Sequence, residues 1–138
     1  MREAVDARFG TTERSGIAQV VFSDRDELTW LEELLHPRVR DDYLGWLDGL
    51  GESIDVAVVE IPLLYETGSD ELFDAVVVIT APEVLRSARA RVPVAERSGR
   101  LIPDDEKVRR ADFSYVNDGT LEELDEFVGR VLEKLRRR

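Results

Sequence analysis

His36 and Arg40 stand four residues apart in the stretch "LHPRVR", a spacing that sets two side chains on one face of a helix. A guanidinium offers paired N–H groups to a phosphate or pyrophosphate. The histidine has a plainer reading, a residue at a proline kink bonded to backbone. The second group is "EIPLLYETG", Glu60 to Gly68. An apolar run, Ile54 to Ile61, ends there in a proline, two leucines, an aromatic ring and an acid, as a buried strand delivers a site loop at its carboxyl end. Pro62 suits the turn. Leu63, Leu64 and Tyr65 serve equally as core at a strand end, and Glu66 is either a solvated acid or a polar contact for a ligand. The third group is arginine-rich, "LRSARARVPVAERSGR", with Arg86, Arg89, Arg91, Arg97 and Arg100. Such a stretch is usually a solvated basic helix, but the chain as a whole carries a net charge of −11, and a local basic cluster means more against that background. Asn117-Asp-Gly119 forms the fourth group. It is a turn that needs no further function, because Asn and Gly tolerate positive φ.

The elements that must position these groups follow from pattern. Residues 2–9 predict a short helix ended by Gly10. Ile17 to Phe22 is a brief apolar segment, helix or strand. Ser23 or Asp24 caps a helix over about 24–50, with Leu28, Leu31, Leu34 and Leu35 at helical spacing. Pro37 interrupts it, the pattern resumes through Val39, Tyr43, Trp46, Leu47 and Leu50, and Gly51 closes it. The period then changes. Residues 54–61 and about 74–81 read as core strands buried on both faces, since their apolar residues run nearly uninterrupted. Pro82 starts a helix, Pro103 starts another, and about 113–117 is a third strand. Thr120-Leu-Glu-Glu123 is a capping box opening an amphipathic helix with Leu121, Leu124, Phe127, Val128, Val131, Leu132 and Leu135. Short buried strands alternating with helices mean an α/β architecture around a parallel sheet.

Composition narrows the chemistry. A length of 138 residues suits a single domain spanning 1–138 with a core of its own. The excess of acid argues against nucleic acid as a partner, since that needs phosphates neutralised by Lys and Arg. The absence of cysteine and the single histidine exclude disulfides, thiol chemistry and a multi-histidine metal site, and no metal ligand set is expected. No apolar stretch is long enough for a membrane span, and residues 1–6 lack the apolar core of a signal peptide. The expected location is cytoplasmic.

The order of signals resembles the dephospho-CoA kinase family of P-loop kinases. The segments that carry the resemblance are "VFSDRDELTWLEELLHPRVR", "VVEIPLLYETG", "FDAVVVITAPEVLRSARAR" and "RLIPDDEKVRRADFSYVNDGTLEEL", and it covers the chain from about Arg2 to Leu135. The resemblance implies a P-loop kinase-like three-layer sandwich with a parallel sheet. It implies ATP-dependent phosphorylation of the ribose 3′-hydroxyl of dephospho-CoA, with ATP and Mg as cofactors. It also marks what these residues lack: no G-x-x-x-x-G-K-[ST] occurs in them, nor the family's aspartate base that follows that loop. A phosphate loop cradles the β- and γ-phosphates and holds magnesium. The expectation is therefore a fold truncated at the N-terminus, its first central strand missing, that does not bind ATP and Mg productively and is inactive alone. Truncation and a genuinely shortened homologue both remain open.

By the same resemblance His36, Arg40, Pro62, Leu63, Leu64 and Glu66 are substrate-binding residues. Arg89 is a catalytic arginine in a lid-like region at about 85–103, where arginines neutralise the transferred phosphoryl group. Asn117 and Gly119 meet adenine. Three departures stand out: Tyr65 where the family often has Phe, a lid shortened around Val92-Pro93, and Leu101 where Gln is common. Dephospho-CoA and ATP are the implied partners. The alternatives are a non-catalytic dephospho-CoA or nucleotide binder, and a remnant that self-associates through its incomplete sheet.

Overall fold

The computed structural model describes residues 1–89 and 101–137. They group into two compact units, Met1–Ala57 and Val58–Arg138.

The first unit is helical. Helix α1, Arg2–Phe9, stops at Gly10, whose φ of 66° places it in the left-handed region while its N–H bonds the Asp6 carbonyl at 2.8 Å. Glycine takes that conformation without steric penalty. Helix α2, Arg14–Ser23, settles the ambiguous apolar segment 17–22 as helix. Ser23 turns its hydroxyl back onto the Gln19 and Val20 carbonyls. The capping role falls to Asp24, whose carboxylate accepts from the Asp26 and Glu27 N–H groups at 2.9 and 3.3 Å. Helix α3, Arg25–Asp48, then runs unbroken through Pro37, which corrects the expected interruption. Pro37 lacks the N–H that would reach the Glu33 carbonyl. One position on, the Arg38 guanidinium donates to the Leu34 carbonyl at 2.6 Å. The helix ends at Gly49, not Gly51, with the Gly49 N–H on the Gly45 carbonyl. Helices α1 and α3 meet where Arg8 forks onto Glu27 through two 2.8 Å bonds. There Phe9 also meets Trp30 edge-on, ring centres 5.6 Å apart. Val5 and Val21 are buried.

The second unit holds a parallel pair, β1 (Val77–Thr80) and β2 (Phe113–Val116), with Val77 opposite Phe113 and Thr80 opposite Val116. The Asn117 N–H reaches the Thr80 carbonyl at 2.7 Å and extends the ladder. Between the strands lie α4 (Glu83–Arg89) and α5 (Asp104–Arg110). Acids fill the first turn of α5 and bases its last, in line with the helix dipole. Helix α6, Leu121–Leu135, opens with the complete capping box: Thr120 Oγ1 accepts from the Glu123 N–H, and the Glu123 carboxylate accepts from the Thr120 N–H. Phe127 of α6 stacks on Tyr115 at 4.9 Å, and Lys134 lies 5.7 Å from the Phe113 ring. Helix α6 therefore covers the face of β2 that carries Phe113 and Tyr115.

Two expectations for the sheet are corrected. Residues 54–61 form no strand. An extended segment becomes a strand only when a neighbour supplies a ladder, and among the described residues β1 and β2 pair only with each other. Ile54 and Val58 are 51% and 75% exposed. The strand expected over 74–81 shortens to four residues, and Val77 and Ile79 are exposed rather than buried on both faces. The described residues thus form a mixed α/β structure with a two-stranded parallel sheet. No helix among them is long and apolar enough to cross a membrane.

The Asp24 cap satisfies two N–H groups that α3 leaves without helical partners. Asp24→Ala should lower stability by about 1 kcal/mol and Asp24→Asn by much less, read as a shift in the urea midpoint at unchanged slope.

Candidate functional site

The loop after residue 61 folds as a single closed turn. The Thr67 N–H bonds the Leu63 carbonyl, Gly68 N–H the Tyr65 carbonyl and Ser69 N–H the Leu64 carbonyl, at 3.1, 3.2 and 2.9 Å. The last two form a Schellman pair about Gly68, whose φ of 63° is left-handed. Thr67 Oγ1 adds bonds to the Leu63 and Leu64 carbonyls and to Ser69 Oγ. A short 3-10 turn, Ser69–Leu72, follows. Tyr65 and Ser69 are buried, while Pro62 is exposed and Leu63 and Leu64 are half-buried.

Glu66 is not a solvated acid. Its side chain is only 10% exposed, and Oε1 takes Lys107 Nζ at 2.7 Å and the Ile102 N–H at 3.1 Å. Burial alone would raise its pKa. The hydrogen bonds from Lys107, its own N–H and Ile102, with the charge of Lys107, outweigh that and hold the carboxyl below its ordinary value. Its other oxygen, Oε2, is buried with no hydrogen-bond partner among the described residues, and the Tyr65 hydroxyl is in the same position. Burial pushes the Tyr65 phenol up, against the nearby Arg110 charge. Arg110 lies 4.1 Å over the Tyr65 ring and pairs with Asp70 at 3.0 Å.

A second cluster joins two of the candidate residues. Arg89, at the end of α4, donates from Nη1 to the Asn117 carbonyl at 3.2 Å. Asn117 therefore offers that carbonyl to an arginine and its N–H to the sheet. Neither Asn117 nor Gly119 has positive φ, so the turn does not use the conformational freedom expected of it. Gly119 has another reason to be glycine: the Glu123 carboxylate of the capping box fills the space a Cβ would take. Arg86 links Glu83 to Asp104 at 2.9 and 3.1 Å, tying α4 to α5. Leu101 is exposed. Arg91, Arg97, Arg100 and the Val92-Pro93 stretch lie outside the described residues.

His36 and Arg40 both sit on α3 in the first unit, His36 half-buried and Arg40 exposed. The structure therefore joins Arg89 to Asn117, seats Glu66 in its loop, and keeps His36 with Arg40 on one helix. Sequence reasoning passed over Lys107, Arg110 and Asp70. One signal for the first two was present: bases three residues apart after "PDDE" share a helix face. Among the described residues no group of three or more His, Asp or Glu side chains is placed to hold a metal ion.

The Glu66 contact carries a pH dependence of definite sign. Its folded pKa lies below the unfolded one. The stabilisation is therefore complete above the unfolded value and is lost as pH falls through the folded value. In a nitrogen-15 NMR titration the Ile102 amide should shift with a midpoint below about 4.3, the ordinary glutamate value. Glu66→Gln should abolish that inflection. It should also lower the melting temperature at neutral pH, by an amount that shrinks as the pH is lowered.

Comparison with known proteins gives this geometry its context. A family model for dephospho-CoA kinase matches residues 2–123. The dephospho-CoA kinase of Rhodopseudomonas palustris is 40% identical over 124 residues, covering 80% of this chain and 62% of that protein. The one from Chlorobaculum tepidum is 33% identical over 130 residues, covering 89% and 62%. The one from Deinococcus radiodurans is 35% identical over 138 residues, covering 91% and 65%. The chain thus spans somewhat under two thirds of the length of these three relatives. On a match that runs through both units, and through every candidate residue named above, the chain belongs to the dephospho-CoA kinase family.

Proposed function

We propose that these 138 residues make up the substrate-holding part of a dephospho-CoA kinase. The family reaction is transfer of the ATP γ-phosphoryl group to the ribose 3′-hydroxyl of dephospho-CoA, in coenzyme A biosynthesis. One observation carries the reading: the 62–68 loop is folded into a fixed turn and anchored through Glu66, inside the segment that the family model matches. In this reading Pro62, Leu63, Leu64 and Glu66 face dephospho-CoA, the buried Glu66 Oε2 being an acceptor without a donor among the described residues. His36 and Arg40 take its phosphates from α3. Arg89 serves the transferred group, and Asn117 and Gly119 meet adenine.

In the reaction the 3′-oxygen bonds to the γ-phosphorus and loses its proton to a general base, as the bond to the β–γ bridging oxygen breaks and ADP departs. Magnesium and a phosphate loop supply the positioning and charge stabilisation for that step. The donor set present does not fit them. No G-x-x-x-x-G-K-[ST] occurs in the sequence to cradle the phosphates. These residues by themselves hold dephospho-CoA without turning it over, in the cytoplasm and, given the net charge of −11, without nucleic acid.

Isothermal titration of the purified chain tests this. Dephospho-CoA should bind without ATP–Mg, Arg40→Ala should weaken binding about tenfold or more, as expected for a charged hydrogen bond, and ADP should not accumulate when ATP–Mg is added. A folded sample that binds no dephospho-CoA overturns the reading.

A second reading, self-association, draws on Val58, Val77 and Ile79, exposed apolar residues beside a sheet with few strands. It expects a dimer in sedimentation equilibrium that Ile79→Lys dissociates. A monomer at all concentrations rules it out.

A further inference from the structure

The loop assigned to dephospho-CoA is held from outside itself, by one face of α5. Lys107 Nζ meets Glu66 Oε1 at 2.7 Å. One turn along, Arg110 Nη2 meets Asp70 Oδ2 at 3.0 Å, and its guanidinium covers the Tyr65 ring at 4.1 Å. The Ile102 N–H, two residues before α5, adds a third hold on Glu66. The Schellman turn at Gly68 lies between the two anchors, Glu66 and Asp70. Helix α5 is itself tied to α4 through Arg86 and Asp104.

We propose that Lys107 and Arg110 are positioning residues: together they fix the conformation of the 62–70 loop, and through it the ligand-facing surface of Leu63, Leu64 and Glu66. The functional half of this rests on the assignment of that loop to dephospho-CoA. The side chains of Glu66, Lys107 and Asp70 are 10%, 18% and 21% exposed, so solvent and salt screen these contacts less than a surface pair. Removing Lys107 leaves the buried Glu66 carboxylate without its countercharge and with the Ile102 N–H alone among the described donors on Oε1, and removing Arg110 takes the countercharge from Asp70, which drives the loop to rearrange toward water. A loop that samples several conformations binds with an affinity reduced by the fraction still competent. Lys107 and Arg110 therefore act on affinity through loop population.

Two measurements on the full chain test this. Hydrogen exchange should quicken at the Thr67, Gly68 and Ser69 amides by about tenfold or more in Lys107→Met and in Arg110→Met. The Asn117 amide, bonded to Thr80 in the sheet, should hold its protection and so report that the fold is intact. Titration with dephospho-CoA should show affinity falling by at least fivefold in both methionine variants. Lys107→Arg should restore slow exchange and binding. Arg110→Lys, which keeps the charge but loses the planar fork over Tyr65, should restore them only in part, and it also serves if Arg110→Met fails to fold. Unchanged exchange at Thr67–Ser69 in folded variants overturns the proposal. So does unchanged affinity in variants whose loop exchange has quickened. If the unaltered chain binds no dephospho-CoA, the functional assignment of the loop fails, and the exchange experiment still decides whether α5 holds it.

Discussion

Glu66 keeps a negative charge on a side chain that is nine-tenths hidden from water, and much of the second unit is arranged to make that tolerable. A carboxylate in such a place ionises only if donors replace the water it has lost. Three do so: an ammonium from α5, the N–H of Ile102 and its own N–H. Each comes from a different part of the chain, so satisfying one carboxylate fixes the loop, the approach to α5 and the first turns of α5 relative to one another. The demand falls on one oxygen. Oε1 takes both Lys107 and Ile102, and Oε2 has none of the described donors. An acceptor buried without a donor is expensive in a folded protein, which makes the two bonds on Oε1 the contacts on which the ionised carboxylate depends.

The neighbouring contacts follow the same logic at lower stakes. Arg110 spans Asp70 and the Tyr65 ring, and a planar guanidinium suits both at once. Arg86 and Arg89 close off α4 in two directions, one toward α5 and one toward the end of β2. Apolar packing contributes comparatively little. Val5, Val21, Tyr65 and Val131 are the buried hydrophobic residues among those described, and many valines, leucines and isoleucines stay exposed. Burial normally supplies most of the drive to fold. Where it is thin, directional polar contacts decide the local geometry.

That division also explains what could be read from the sequence. Helix ends were legible because their signals are local: Gly10 in the left-handed region, Asp24 as a cap, Thr120 and Glu123 as a capping box. Strand β2 was legible as well, set between Asp112 and the Asn-Asp-Gly turn. Residues 54–61 were misread because an apolar run carries no record of whether a partner strand lies beside it. Pro37 was overread, since a long helix can carry a proline when the lost hydrogen bond is confined to one carbonyl. In the candidate site, Glu66, Arg89 and Asn117 were singled out by the resemblance to the family. Their partners were not. Lys107 is 41 residues from Glu66 and Arg110 is 40 from Asp70, and charge pairing over such a distance leaves no periodic trace. The plain structural reading of Gly119, a turn with positive φ, does not hold: a helix-cap carboxylate is pressed against it instead.

Holding a substrate and accelerating its reaction are separable demands. Contacts that are equally strong in the ground state and the transition state lower the dissociation constant and leave the chemical step untouched. On the proposed reading, the contacts of the anchored loop with dephospho-CoA are of this kind. The contacts that strengthen only as the phosphoryl group moves belong to a phosphate loop and magnesium. Arg89 is the one described candidate on that side of the division, and its Nη1 is engaged by the Asn117 carbonyl. A guanidinium has five N–H donors, so that bond orients the group and leaves others to point elsewhere. It also ties the arginine to the carboxyl end of β2, where parallel sheets place their ligands. On the proposed reading a nucleotide would be met at the Arg89–Asn117 pair, with the Glu123 carboxylate of the capping box pressed against Gly119 beside it.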